Sequence, residues 1–225
     1  PIQTSKTNFL GTLNALEIAK KNKAPMIFTS SSEIYGNSDI YPQSENYFGN
    51  VNPISKKSCY KEGKRIAETL CIDYLREHLV DVKIARIFNI YGSKMDPEDG
   101  RVVTSFICNG IQGKQIKIYG DGEQTRSFCH INDLLKALFE LMKSGINGPI
   151  NLGNPYEEIT INNLAKLINK KLKSNSPIIR LPADKDEPRK RKPCINLAKD
   201  FLNWEPKITL EKGLDDTISF FRKII

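Results

Sequence analysis

Apolar residues along this chain follow two spacings, and each spacing predicts a different element. Between 4 and 22, Leu10, Leu13, Leu16 and Ile18 recur at helical intervals, and Lys20, Lys21 and Lys23 end the stretch. The run APMIFTSSS (24–32) is short, apolar and bounded by a proline and serines, the pattern of a buried strand. Residues 35–57, rich in Gly, Asn, Pro and Ser, predict a loop. Helical periodicity resumes over 58–79 through Ile66, Ala67, Leu70, Tyr74 and Leu75, and VKIARIFNIYG (82–92) predicts the next strand. Further helices are predicted over 101–112, 131–145, 160–174 and 210–224, with strands over 115–120, 149–154 and 178–182.

This alternation predicts an α/β fold, a parallel sheet with helices on both faces. Residues 1–92 read as the sheet domain and 93–225, more mixed, as mainly a smaller lobe interleaved with it. Chemistry in such folds sits beyond the carboxyl ends of the strands. Three pieces fall there: Ser30, Ser31, Ser32 and Glu33 after the first strand, Tyr60 and Lys64 on the following helix, and Asn89 near the end of the second strand. Tyr60 and Lys64 are four apart, so they share a helix face. The ammonium favours the phenolate, so the pair can take a proton from an alcohol while a hydride leaves to a cofactor, with Ser31 sharing that proton. A Tyr and a Lys at this spacing also occur by chance on exposed helices; the flanking Ser-Ser-Ser-Glu and Asn-Ile-Tyr-Gly sharpen the reading.

Composition narrows the partners. The chain is 39% hydrophobic and 27% charged, enough to bury a core, and no apolar run approaches the roughly 18–20 residues that span a bilayer. No membrane partner is expected. The net charge of +8 suits a polyanionic partner such as a phosphorylated substrate, although most of these lysines read as a solvated basic surface; a nucleic-acid partner is not expected, because no nucleic-acid-binding motif accompanies the charge. Five cysteines without a CxxC pair, and only His78 and His130 as histidines, predict reduced thiols, a cytoplasmic setting and no metal site.

The motifs TSSSEIYG (29–36), YKEGKRIAE (60–68), ARIFNIYG (85–92), GDGEQTRSFCHINDL (120–134), NLGNP (151–155) and WEPKITLEKGL (204–214) together resemble the extended short-chain dehydrogenase/reductase family of nucleotide-sugar enzymes. That resemblance runs over essentially the whole chain. It implies a Rossmann-like doubly wound parallel sheet, NAD as cofactor and a UDP-sugar as substrate. Within the family, the stretches 41–68, 94–107 and 186–193 are similar to those of UDP-glucuronate decarboxylases. The family's first βαβ unit, with its glycine-rich pyrophosphate loop, has no counterpart here, and the chain opens at Pro1 within a helical pattern. A segment upstream is therefore expected, and residues 1–225 alone are expected to bind NAD poorly.

The resemblance also assigns residues. Ser31, Ser32, Glu33, Tyr60, Lys64 and Arg191 are the implied catalytic set. Thr29 and Ser30, with Tyr60 and Lys64, are placed at the cofactor. Asn89, Arg101, Lys117, Tyr119, Gln124, Arg126 and Arg191 are placed at the substrate. Arg126 reads either as a structural ion-pair partner or, by resemblance, as the residue on the diphosphate. Tyr119 reads evenly as part of a uridine pocket with Lys117 or as core. In the basic run Arg189-Lys190-Arg191-Lys192, Arg191 is the one implied to meet a sugar carboxylate, and the others read as surface.

The implied activity is oxidation of UDP-glucuronate at C4, loss of CO2 from the 4-keto sugar, and reduction to UDP-xylose. A 4-epimerase is the runner-up. A 4,6-dehydratase is disfavoured because Ser32 stands where that group carries an Asp able to expel a hydroxyl. An inactive nucleotide-binding relative is a further reading, opposed by the intact Ser31, Tyr60 and Lys64. The resemblance implies a homodimer through helices 4–22 and 58–79; the alternative is that both helices only cover the sheet.

Overall fold

A computed structural model of the chain describes residues 1–183 and 186–225. It opens with α1 (Ile2–Lys6), a π-helical turn (Thr7–Gly11) and α2 (Thr12–Asn22), followed by β1 (Met26–Ser31), a 3-10 turn (Ser32–Tyr35), α3 (Ser58–His78) and β2 (Val82–Ile87). Then come β3 (Ile90–Tyr91), α4 (Val102–Ile111), β4 (Ile116–Tyr119), β5 (Thr125–Ser127), β6 (Cys129–His130), α5 (Ile131–Lys143) and β7 (Pro149–Leu152). The last elements are β8 (Glu158–Thr160), α6 (Ile161–Leu172), β9 (Ile178–Leu181), β10 (Lys190–Arg191), α7 (Asn196–Leu202) and α8 (Leu210–Phe221). The fold is α/β, and the strand pairings among the described residues are parallel except β5 with β8, which is antiparallel. Two compact units divide the chain: residues 1–88, 135–152 and 193–205 form one, and 89–134, 153–192 and 206–225 the other.

The first unit is built on the parallel sheet β1-β2-β7. All six residues of β2 run from Val82 to Ile87 without a charged surface face: Val82, Ile84 and Ala85 are buried, and even Lys83 is covered, its Nζ held by Asp81 at 2.6 Å and Asn147 at 3.0 Å. A strand buried on both faces reads as a near-continuous apolar run, which is why its pattern does not alternate. Leu16 and Ala19 of α2, Ala67 and Cys71 of α3, and Phe28, Val82 and Ile84 of the sheet make one core cluster. Two glycines are required. A Cβ on Gly63 of α3 would lie 2.9 Å from Cβ of Asn8 in the π-helical turn, and Gly36 has φ +60° with the carbonyl of Asn50 only 2.0 Å from where a Cβ would stand.

The second unit carries a three-stranded sheet, β10-β5-β8, and two two-stranded ones, β3-β6 and β4-β9. Its core joins Phe106 and Ile107 of α4, Ile116 and Ile118 of β4, Leu164 and Ile168 of α6, and Leu214 and Phe221 of α8. Side-chain caps start two of these helices: Thr160 accepts from the Asn163 N–H at 3.1 Å and Thr209 from the Lys212 N–H at 3.4 Å.

One prediction is corrected here. The stretch 82–92 is not a single strand. The Phe88 N–H donates to the Leu152 carbonyl at 2.9 Å, whereas the Asn89 carbonyl accepts from the Cys129 N–H at 2.9 Å, so the backbone changes sheet between them. Among the described residues, no helix is long and apolar enough to cross a membrane, and no group of three His, Cys, Asp or Glu could hold a metal ion.

Candidate active site

In the first unit, α3 carries the Tyr–Lys pair. Tyr60, Lys64 and Glu68 stand at i, i+4 and i+8, one stripe of the helix. Lys64 Nζ donates to the Thr29 carbonyl at 2.9 Å, and lies 4.8 Å from the centre of the Phe28 ring and 5.8 Å from that of Tyr60. Burial lowers the Lys64 pKa from the usual lysine value, against the raising effect of Cys71 and Glu68. Tyr60 is 38% exposed, and its hydroxyl makes no hydrogen bond among the described residues.

The serine cluster is held along the same helix. Ser31 ends β1 with its Oγ accepting from the Glu33 N–H at 3.2 Å, so it caps the 3-10 turn that carries Ser32 and Glu33. Glu33 Oε2 lies 4.0 Å from Nζ of Lys61, a lysine only 3% exposed. Thr29 therefore meets the helix at Lys64 and Glu33 meets it at Lys61, which brings the predicted residues 29–33 alongside Tyr60 and Lys64. Ser32 is buried. Ser30, placed by resemblance at the cofactor, is also buried and donates its Oγ to Glu68 at 2.5 Å.

The second unit holds the other predicted residues. Arg126 of β5 and Arg191 of β10 are partners in a parallel register, and both are buried, at 7% and 3% exposure. Of the run 189–192, Arg191 alone is buried: Arg189 and Lys190 are exposed and Lys192 is half-buried. Arg189 makes a two-pronged pair with Asp121 at 2.9 Å for each prong, and Lys192 reaches Glu158 at 3.5 Å. Arg126 donates to Glu187 at 2.6 Å and to the Thr125 carbonyl at 2.8 Å.

Next along β5 from Arg126, Ser127 Oγ is buried with no hydrogen-bond partner among the described residues. Gln124 donates to the Tyr119 carbonyl at 2.8 Å; among the described residues its Oε1, and likewise Nδ2 of Asn89, is buried without a hydrogen-bond partner. Lys117 and Tyr119 share the exposed face of β4, and Tyr119 is 59% exposed, so the reading of Tyr119 as core is corrected. Arg101 is exposed, 3.6 Å from Asp99.

Sequence reasoning missed Lys61, Glu68 and Arg86. Arg86 forks onto Glu68, Nε to Oε1 at 3.0 Å and Nη2 to Oε2 at 2.7 Å, and its Nη1 reaches Tyr35 Oη and the Glu45 carbonyl, each at 3.0 Å. Tyr35 Oη donates to Asn151 Oδ1 at 2.7 Å, and burial pushes its pKa up to about 12, so it stays a neutral donor. The available signal was the extension of the Tyr60–Lys64 stripe by one turn to Glu68.

A dinucleotide is anionic and rich in hydroxyls, and the donor set fits one. Lys64 has three donors and spends one on Thr29. Tyr60 keeps its hydroxyl free of protein partners among the described residues.

Comparison with known proteins agrees. Residues 1–153 match the family described as Epimerase, NAD dependent epimerase/dehydratase family. Over 223 residues, 99% of the chain, it is 48% identical to a Xenopus tropicalis protein named UDP-glucuronic acid decarboxylase 1 and covers 53% of that protein. The chain thus spans about half the length of the curated relatives it matches. UDP-glucose 4-epimerase from Thermotoga maritima, solved with UDP-glucose, superposes with a TM-score of 0.91 at 30% identity, covering 98% of this chain and 71% of that one. UDP-glucuronic acid 4-epimerase from Bacillus cereus, solved with UDP-glucuronic acid and NAD, superposes with a TM-score of 0.88 at 25% identity, covering 98% and 69%.

Proposed function

The chain belongs to the NAD-dependent epimerase/dehydratase family, and from that premise we propose that its activity is NAD-dependent decarboxylation of UDP-glucuronate to UDP-xylose. The observation that carries this reading is Arg191, the single buried residue of a four-residue basic run, in register with a second buried arginine, Arg126. Buried guanidinium groups suit carboxylate and phosphate oxygens, which accept their planar fork. The relatives named as decarboxylases support the same substrate.

In this mechanism Tyr60, as the phenolate, takes the proton from the C4 hydroxyl of the sugar. Lys64, fixed by the Thr29 carbonyl, holds positive charge beside that phenolate until it is protonated. Ser31 Oγ shares the C4 proton, and its cap on the 32–35 turn sets where Glu33 points. NAD, when bound, supplies the acceptor and later the donor of the C4 hydride. A ketone at C4 stands β to the carboxylate carbon, so departure of CO2 leaves its electron pair as an enolate, which takes up a proton at C5 to give back the ketone before the hydride returns to C4. Arg191 receives the sugar carboxylate, Arg126 the diphosphate, and Glu33 orients the sugar ring. Asn89, Arg101, Lys117, Tyr119 and Gln124 complete the substrate contacts, and Ser32 and Thr29 shape the strand end.

Arg191→Ala tests the assignment. Charge-assisted hydrogen bonds contribute roughly 1.5–3 kcal/mol each. UDP-glucose carries a hydroxymethyl group in place of the carboxylate. Calorimetry at one fixed ionic strength should show Arg191→Ala weakening UDP-glucuronate by about tenfold or more and UDP-glucose little. Arg189→Ala, already exposed and paired with Asp121, should leave both alone. Equal weakening of both ligands by both variants would reduce the run to a diffuse basic patch.

A 4-epimerase is the second reading, favoured by the Bacillus cereus neighbour solved with UDP-glucuronic acid. We also place the protein in the cytoplasm, on its free cysteines, and assign a homodimer through helices 4–22 and 58–79. Phe9, Leu10 and Ile18, with Ile66 of α3, keep apolar side chains exposed there, which supports that assembly.

A further inference from the structure

The buried polar groups behind the serine cluster form a continuous line. Ser30 of β1, Arg86 of β2 and Asn151 of β7 are register partners across the three strands, so their side chains share one face of the sheet. Glu68 closes the line from α3, accepting from Ser30 at 2.5 Å and from the Arg86 fork. At the far side, Asn151 holds the Gln43 carbonyl at 3.1 Å and, through its N–H, the Glu45 carboxylate at 2.8 Å. Arg65, one turn before Glu68, grips the carbonyls of Ile34 at 3.1 Å and Phe48 at 2.5 Å. Asn151 also holds the Cys194 carbonyl at 3.1 Å, and the remaining anchors end on the turn after the strand or on the loop that follows.

A buried ion pair is a poor way to gain stability alone, because desolvation offsets most of the attraction. What such a pair does supply is a fixed geometry. Thr29, Ser30 and Ser31 are consecutive, and each is tied differently: to Lys64, to Glu68 and to the Glu33 N–H. We infer that Glu68, acting through Ser30 and held by Arg86, is a positioning residue that sets the register of Ser31 and Glu33 against Tyr60 and Lys64. The inference rests on the proposed dehydrogenase-type chemistry of Tyr60 and Lys64, but not on which UDP-sugar product results.

Glu68 has a second effect on the same pair. The groups facing Lys64 are Tyr60, Glu68 and Cys71 from α3, and the Thr29 carbonyl and Phe28 ring from β1. Glu68 is the one carboxylate in that set, and its charge keeps the ammonium protonated to higher pH than burial alone would allow.

Two variants separate positioning from bulk stability. Ser30→Ala cuts the tie from helix to strand end but leaves the Arg86–Glu68 pair whole. Small misplacements of reacting groups cost up to about 100-fold, so kcat should fall roughly tenfold with KM within about twofold. Ser30→Thr, which restores the hydroxyl, should recover most of it. Glu68→Gln should move the Lys64 titration, followed by NMR of 13C-labelled lysine, to lower pH, and this readout needs no turnover. Wild-type kcat in Ser30→Ala, or a Lys64 titration unmoved in a folded Glu68→Gln protein, would overturn the inference. If Glu68→Gln does not fold, the Ser30 pair of variants decides alone. Should the wild-type product be an epimer without CO2, the decarboxylase reading fails while the same kcat ratios, measured on epimerisation, still judge Glu68.

Discussion

Tyr60→Phe is expected to lower turnover by roughly 10²–10⁴, the usual loss when a general base is removed. The variant should keep the fold, because the Tyr60 hydroxyl has no protein hydrogen-bond partner among the described residues and the ring stays near the Lys64 ammonium. Removing the oxygen leaves the C4 proton without its acceptor, and neither Ser31 nor Lys64 replaces it. A serine hydroxyl such as Ser31 can share the proton but is too weak a base to take it alone, and the Lys64 ammonium already donates to Thr29. Binding of UDP-glucuronate should change little, so the loss should appear in kcat and not in KM. Turnover within a few-fold of wild type would show that another group takes the proton.

The second large effect is on stability. Arg86→Ala should destabilise the protein by about 3–5 kcal/mol, since it strands the Glu68 carboxylate in a buried site and removes the donors to Tyr35 and the Glu45 carbonyl. Urea unfolding measures this. The Arg86 and Glu68 side chains are 10% and 12% exposed, so solvent compensates little. The double variant Arg86→Met, Glu68→Leu replaces both charges by apolar groups and should lose much less than the single change. If Arg86→Ala lost under about 1 kcal/mol, the pair would behave as an exposed surface ion pair does.

Much of this was legible in the residue pattern, and the parts that were not share a cause. β1 follows from a short apolar run with clear bounds and α3 from a helical period sustained over twenty-one residues, and the Tyr60–Lys64 pair follows from its spacing along α3 with the flanking serine and asparagine motifs. Strands β5, β6, β8 and β10 have two or three residues each, too few to show a period, and α7 has only seven. The split at Phe88 and Asn89 was hidden because apolar character continues through it while the hydrogen-bond partners change from Leu152 to Cys129.

The polar line is the plainest case. Ser30 and Glu68 are 38 residues apart, and Tyr35 and Asn151 are 116 apart, so no local spacing joins them. Lys61 was hidden for the opposite reason. A lysine beside an exposed helical tyrosine reads as solvated, yet its head lies buried next to Glu33. Resemblance singled out Arg191 where composition saw only a basic run, and the structure buries that residue of the four.

The central claim is the loss of the sugar carboxylate without net redox change. The direct measurement incubates the protein carrying these residues with NAD and UDP-glucuronate labelled with 13C at the carboxylate, and follows the label by NMR while absorbance reports NADH. The account predicts one labelled CO2 for each UDP-xylose formed, with no net NADH at the end of the reaction. UDP-galacturonate that keeps its labelled carboxylate, with no CO2 released, would contradict it.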